Sequence, residues 1–196
     1  MLSSVIRILI CSIVGIGLWR LYKRSKTKNP KSLRRKYIGI EVSLILVINI
    51  WWFENLFVTF PSPQAVFQYT QIGDIEYIIE GEASTLIISQ NLRKEKNTTI
   101  VEKNNAGWKI SPPFSMRSVD TKHAEQIAVF VERYKNTQDY YLSIMYTGKE
   151  AIEIQDNRNS SFIDSFNKTR NNHIYYAYIK NYDSEYEIQI NGTIVN

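Results

Sequence analysis

Two carboxylates and a histidine are the residues of this sequence whose types and spacing come closest to supporting catalysis. Glu80 and Glu82 flank Gly81, so both would project to one side of an extended chain. A glycosidase needs such a pair about 5–9 Å apart across a sugar ring, in a cleft that the sequence does not reveal. His123 could act as a general base, but no serine or cysteine nucleophile accompanies it in a known pattern. A solvated or hydrogen-bonded role is therefore favoured for His123, and equally for His173.

The sequence contains no recognisable motif for binding a metal or a cofactor. The single cysteine, Cys11, excludes a disulfide framework and any multi-cysteine zinc site, and two histidines exclude a histidine-rich metal centre. The nucleophile elbow, the glycine-rich phosphate loop and the helical zinc motif are also missing. We therefore predict no catalytic, cofactor-binding or metal-binding residues and expect a protein that is not an enzyme.

Tyrosine is the most suggestive residue type of the C-terminal part, since eleven of the thirteen lie within residues 61–196. Its ring offers a large contact area at a small entropy loss, which suits binding surfaces. It is also a strong strand former, and the segment Tyr175 to Ile179 covers both faces of one strand. We favour strand and core positions, with hydroxyls at the rim, and we expect Trp108 to anchor a core.

The elements that must position these residues predict a mainly antiparallel β domain over residues 61–196. Ser62 and Pro63 are typical of a helix start, so a short leading helix should run to about Tyr69. The strand-like segments that follow suggest a sandwich or a small barrel, and Asn191-Gly192 predicts a two-residue hairpin turn. The predicted strands are 75–80, 85–89, 98–102, 127–134, 140–146, 151–155, 174–180 and 186–191, with 193–195 after the turn, while 158–172 fits a polar loop or a weak helix.

The first sixty residues predict a transmembrane hairpin instead. Apolar runs at about residues 2–19 and 37–58 each approach the ~20 residues of a spanning helix. Residues 20–36 between them carry nine Lys or Arg and no acid, and short basic loops stay cytoplasmic. We therefore expect a multi-pass protein of the cell membrane, with both termini outside and an extracytoplasmic β domain. Cleavage of the first helix is the alternative, although no A-x-A-like site follows it.

The charged residues of the predicted hairpin lead to two predictions. Arg7 is expected at the level of Asn49 and Glu54, so it either pairs with one of them or, like Glu54, reaches the outer head groups. The basic loop orients the hairpin, and it is also predicted to attract anionic lipid head groups. Nucleic-acid binding is not expected, because the loop lacks interleaved aromatic residues and a recognition motif. The predicted lipid contacts are Arg20, Lys23, Arg24, Arg34, Arg35 and Lys36.

Several segments occur in a suggestive order: FPSPQAVFQY, IEGEAS, Gly107-Trp108-Lys109-Ile110, YKNTQDYYLSI and IQINGTIV. Their order resembles an uncharacterised family of small membrane-anchored proteins from low-GC Gram-positive bacteria, over most of residues 60–196. That family has no assigned activity, so the resemblance implies location and architecture and no catalytic residue.

Three functions follow from these patterns. The first is a membrane-tethered extracytoplasmic module that binds a protein or an envelope polymer, and the absence of catalytic patterns favours it. The second is a small cell-envelope hydrolase acting on wall glycan or peptide. The third is an accessory subunit that docks through the hairpin on a membrane complex.

Overall fold

The computed structural model describes residues 9, 12–20, 38–42, 50–112, 114–124, 126–148, 150, 152–168 and 171–195, with only the backbone of 50–53. Residues 12–20 and 38–42 are helical, and they precede α1 (Ile50–Phe57) and α2 (Pro63–Thr70). The strands are β1 Asp74–Glu80, β2 Ser84–Gln90, β3 Lys96–Asn104, β4 Gly107–Ile110, β5 Met116–Ala124, β6 Ile127–Tyr134, β7 Asp139–Tyr146, β8 Ile154–Asp156, β9 Ile163–Asn167, β10 Asn172–Lys180, β11 Ile188–Ile190 and β12 Thr193–Ile194.

The strands form three antiparallel sheets. Sheet 1 has the order β1-β2-β3-β4, sheet 2 the order β5-β6-β7-β10-β9, and sheet 3 the order β12-β11-β8. One apolar cluster joins α2 to sheet 1, a second joins sheet 1 to sheet 2, and a third joins sheet 2 to sheet 3. The layers therefore run in the order helix, sheet 1, sheet 2, sheet 3, so sheets 1 and 2 are each covered on both faces.

The central strand β7 shows why a continuous apolar run is needed in such a stack. Ile144 packs in the cluster toward sheet 3, while its neighbour Met145 packs toward sheet 1. Successive side chains of a strand point to opposite faces, so a strand between two sheets must be apolar on both. The same alternation places Tyr175 toward sheet 3 and Tyr176 toward sheet 1.

The leading helix and the closing hairpin form where they were predicted. Ser62 caps α2 by accepting a hydrogen bond from the Ala65 N–H at 3.2 Å, and Pro63 is the first helical residue. Asn191 and Gly192 have φ of 51° and 77°, the left-handed values that a type I′ turn requires between β11 and β12.

Three strands, β4, β5 and β9, were not predicted. Each lies at the edge of its sheet and has a single strand neighbour. An edge strand is only partly buried, and β5 is exposed along most of its length, so its sequence carries little apolar alternation. The polar segment 158–172, for which a loop or a weak helix was expected, contains β9 and the start of β10. The small-barrel alternative is also wrong, since all three sheets have free edges.

The predicted transmembrane hairpin is corrected by the structure. Every helix in the described parts of the chain falls short of the length and apolar content that a bilayer crossing requires. The end of the supposed second span is α1, eight residues long, and it docks on sheet 1. The Asn55 side chain accepts from the Ile110 N–H at 3.0 Å and donates to the Ile110 carbonyl at 2.6 Å. The multi-pass membrane location, with both termini outside, rested on the hairpin and is corrected with it.

The predicted contacts of the N-terminal charges fall largely on residues outside the described part. Arg7 and Asn49 lie there, and the described contact of Glu54 is a hydrogen bond from the Tyr69 hydroxyl at 3.2 Å. Among the predicted lipid contacts, only Arg20 is described, at the end of the helical stretch 12–20.

Candidate functional site

The carboxylate pair predicted from Glu80 and Glu82 lies on an open turn. Glu80 ends β1, Glu82 follows it before β2, and both are exposed. The Lys180 ammonium binds the Glu82 carboxylate at 2.6 Å. The pair therefore lacks the enclosed cleft that glycoside hydrolysis needs.

The residue between them has a structural purpose. Gly81 is buried, and a Cβ at its position would lie 2.7 Å from Oδ2 of Asp139 and 2.8 Å from the Tyr141 hydroxyl. The turn can approach Asp139 this closely only because glycine has no side chain. The sequence interval IEGE thus marks a close packing contact between sheets 1 and 2.

The Asp139 carboxylate is buried and accepts hydrogen bonds on both oxygens. We call this arrangement the Asp139 pin. The Glu82 and Ala83 N–H groups donate to it at 3.1 and 2.8 Å, and the Ser84 hydroxyl donates at 2.7 Å. The Tyr178 hydroxyl adds a fourth bond at 3.0 Å. Both oxygens therefore accept two bonds, so the carboxylate holds the two sheets together and has no acceptor position left for a ligand.

The burial of many tyrosines confirms the prediction that they occupy strand and core positions. Several of their hydroxyls donate to carboxylates, and burial raises the pKa of several of these phenols. Trp108 is buried under α2, as expected for a core anchor. The buried tyrosines are Tyr134, Tyr140, Tyr141, Tyr175, Tyr176 and Tyr186. The tyrosine–carboxylate bonds are Tyr69–Glu54, Tyr134–Glu102, Tyr178–Asp139, Tyr182–Asp120 and Tyr186–Asp156.

His173 has an arrangement that resembles an oriented general base. Its Nδ1 lies 3.0 and 3.1 Å from the two carboxylate oxygens of Asp164, and its ring is flanked by Phe166 and Tyr175. Among the described residues no serine, threonine or cysteine is hydrogen-bonded to it. The pair therefore lacks the nucleophile that acyl or glycosyl transfer of this type needs.

His123 lies on the edge strand β5, and no described acid forms a hydrogen bond or ion pair with it. It is exposed, and its ring meets Phe130 edge-on at 6.2 Å between centroids. Together with Ala128, Met145 and Thr147 it lines an open hollow of about 310 Å³. The structure thus brings His123 to a concave surface, but not to Glu80, Glu82 or His173.

A narrower cavity lies between sheets 1 and 2, next to that hollow. Its volume is about 120 Å³, and Met145 belongs to the lining of both spaces. We call the two together the inter-sheet groove, and the smaller space its inner cavity. Residues from both sheets line the inner cavity, including Leu86, Thr98, Glu132, Ser143, Met145 and Ile174.

Glu132 gives the inner cavity its chemical character. It is exposed at the rim, and no hydrogen bond or ion pair reaches its carboxylate from the described residues. Partial burial raises the pKa of this carboxyl above its ordinary value. The lining beneath it is largely apolar, with Leu86 and Ile174 buried in the floor. An apolar cavity with an accessible carboxylate at its mouth suits a cationic group with an apolar stem.

Sequence reasoning missed Glu132, although a signal was present. In the predicted strand 127–134 the residues on one face are Ala128, Phe130, Glu132 and Tyr134, so a carboxylate interrupts an otherwise apolar or aromatic face. No comparable signal pointed to the partner wall, because Leu86 and Thr98 come from a different sheet.

Metal binding finds no support in the described residues, where no three potential His, Cys, Asp or Glu ligands lie close enough to share an ion. Comparisons with protein-family models, curated proteins and solved structures find no match to this chain. The resemblance to a family of membrane-anchored bacterial proteins is therefore neither supported nor contradicted.

Proposed function

We propose that this protein is a binding module that holds part of its ligand in the inter-sheet groove. The observation that carries the proposal is the Glu132 carboxylate at the mouth of an apolar cavity, which no described residue bonds. Because Glu132 is exposed, a cationic ligand can reach this carboxylate while the apolar part of the ligand contacts the cavity.

The other polar clusters support binding over catalysis. The Asp139 pin is buried and saturated, so it stabilises the fold. The His173–Asp164 pair faces aromatic rings and has no described nucleophile, which leaves the envelope-hydrolase alternative without a favouring observation. The third function, docking through a membrane hairpin, loses its basis with the hairpin.

The proposal is tested by screening a library of small polar and cationic fragments against methyl-labelled protein by NMR. The methyl resonances of Leu86, Met145 and Ile174 report on the inner cavity. We expect fragments of one chemical class to shift these resonances in a saturable manner.

Variants establish whether the groove is responsible. Ser143→Phe should fill the inner cavity and abolish the shifts, while Ser161→Phe, on an exposed loop outside the groove, should leave them unchanged. Thr98→Phe, from the exposed side of the cavity, replaces Ser143→Phe if the latter unfolds the protein. Fragments that bind only away from these methyl groups, or none that bind, would overturn the proposal.

A further inference from the structure

We infer that the inner cavity takes a single lysine or arginine side chain of a partner polypeptide, with the Glu132 carboxylate binding its cationic head. The inference rests on the proposed binding function and names the class of partner. The size of the cavity, the residues that line it and the open hollow beside it support this partner.

The inner cavity is too small to enclose a whole drug-sized ligand. Sites for drug-sized ligands usually measure ~300–1,000 Å³, whereas this cavity holds about 120 Å³. That space accommodates one unbranched side chain. A ligand anchored there must therefore extend outside it.

The lining matches a side chain that is apolar along its length and charged at its end. Leu86, Met145 and Ile174 offer apolar walls for a methylene stem, and Glu132 stands at the exposed rim. Lysine and arginine bury such a stem while the head stays near water, where a charge-assisted hydrogen bond is strong. An uncharged apolar side chain would form no charge-assisted bond with Glu132.

The hollow beside the cavity points to a polypeptide as the source of that side chain. It shares Met145 with the inner cavity, is wider and lies open to solvent. Residues flanking the anchor could lie there against Ala128 and Thr147. Residues 61–196 also carry fourteen basic and seventeen acidic residues, a balance that does not repel a basic partner.

The experiment compares probes that differ only in the charged head. Nα-acetyl-lysine amide and Nα-acetyl-norleucine amide are titrated into methyl-labelled protein, with the Leu86, Met145 and Ile174 resonances as the readout. We expect the lysine probe to bind about tenfold more tightly, the equivalent of about 1.4 kcal/mol for one charge-assisted bond. Glu132→Gln should remove the difference, and Glu153→Gln, at an exposed position just before β8 of sheet 3, should preserve it.

A second pair of probes distinguishes a polypeptide from a free amine. Butylamine carries the same head and stem without a backbone, and a heptapeptide with one central lysine adds flanking residues. We expect the peptide to bind most tightly and to shift the Ala128 and Thr147 methyl resonances as well. Equal binding of butylamine and peptide would overturn the polypeptide partner.

The remaining outcomes separate this inference from the proposed function. Equal binding of the lysine and norleucine probes, unaffected by Glu132→Gln, would overturn cation recognition and leave a binding groove. Fragments that shift the cavity methyl groups while no lysine, arginine or peptide probe does so would have the same meaning. Failure of the probes and of the fragment library together would overturn both.

Discussion

The interface between sheets 2 and 3 is a continuous apolar layer, whereas that between sheets 1 and 2 combines apolar packing with buried carboxylate bonds and a cavity. Leu142 and Ile144 of β7 meet Ile188 and Ile190 of β11 with almost no exposed surface. Tyrosines 140, 182 and 186 border this layer, with their rings in sequential contact. Across sheets 1 and 2 the Asp139 pin replaces part of such packing, and the inner cavity lies beyond it.

The difference indicates that the two faces of strand β7 have different roles. Side chains of β7 alternate between the two interfaces, so a single sequence must satisfy a closed layer on one side and an open groove on the other. Apolar surface that is packed on all sides stabilises the fold, while apolar surface left accessible next to a polar group is available to a ligand. Substitutions at three places in the two interfaces test this difference.

The largest effect is expected from Asp139→Ala. The change leaves two backbone N–H groups and the Ser84 and Tyr178 hydroxyls without their acceptor, at a cost of about 4 kcal/mol in the free energy of unfolding. Urea denaturation measures this cost. The matched control is Glu82→Ala on the same turn, where an exposed ion pair contributes under about 1 kcal/mol. Similar losses for the two variants would show that the pin does not hold the sheets together.

A neighbouring pair of residues on β7 compares the two interfaces directly. Ile144→Ala removes a fully buried side chain from the closed layer and should cost about 3 kcal/mol. Met145→Ala enlarges a cavity that is already present and should cost about 1 kcal/mol, since less packing is lost. Equilibrium unfolding in urea measures both. Equal costs would mean that the groove is packed as tightly as the layer behind it.

The smallest loss of stability is expected from removing one tyrosine hydroxyl at each interface. Tyr186→Phe and Tyr178→Phe each remove a hydrogen bond to a carboxylate, Asp156 and Asp139 respectively, and should each cost about 1 kcal/mol at neutral pH. Unfolding in urea is the measurement. A loss confined to one variant would show that tyrosine bonds matter at that interface alone.

The same two variants have an expected pH dependence. Burial and the neighbouring carboxylate raise the pKa of Tyr186 and Tyr178 in the folded protein, while an unfolded tyrosine ionises near pH ~10. The unfolded state therefore releases its phenolic protons first, so the stability due to each hydroxyl is present below about pH 10 and lost as the pH rises further. The advantage of the wild type over each variant should shrink in that range. An advantage that is constant through alkaline pH would contradict the assigned bonds.

Much of the β domain was predictable because its strands are either alternating or continuously apolar. Strand β6 has the predicted bounds, and β7 and β10 differ from theirs by one or two residues. The edge strand β5 was missed, because an exposed strand needs no apolar pattern. The transmembrane hairpin was wrong, although its apolar runs approached the required length, because length and hydropathy do not reveal what a segment packs against, as the bonds between Asn55 of α1 and Ile110 of sheet 1 show.

The candidate site was less predictable than the fold. Glu80 and Glu82 have the spacing of a catalytic carboxylate pair, yet the structurally important residue of that turn is Gly81. Because Gly81 has no side chain, the Asp139 carboxylate, 58 residues further along the chain, can pack against it. Glu132 interrupts an otherwise apolar or aromatic strand face, but the sequence does not show that Leu86 and Thr98 of another sheet form a cavity beside it.

By itself the sequence determined local matters: the Ser62 cap, the Asn191-Gly192 turn, and the strands whose side chains alternate or are apolar throughout. These follow from backbone preferences and from the two-residue period of a strand, which act over a few neighbouring residues. The tertiary structure, in contrast, sets which faces meet, where the Asp139 pin forms and which carboxylate stands beside a cavity without a bond to any described residue. Burial and hydrogen bonding between sheets are properties of residues distant in sequence, and no local pattern records them.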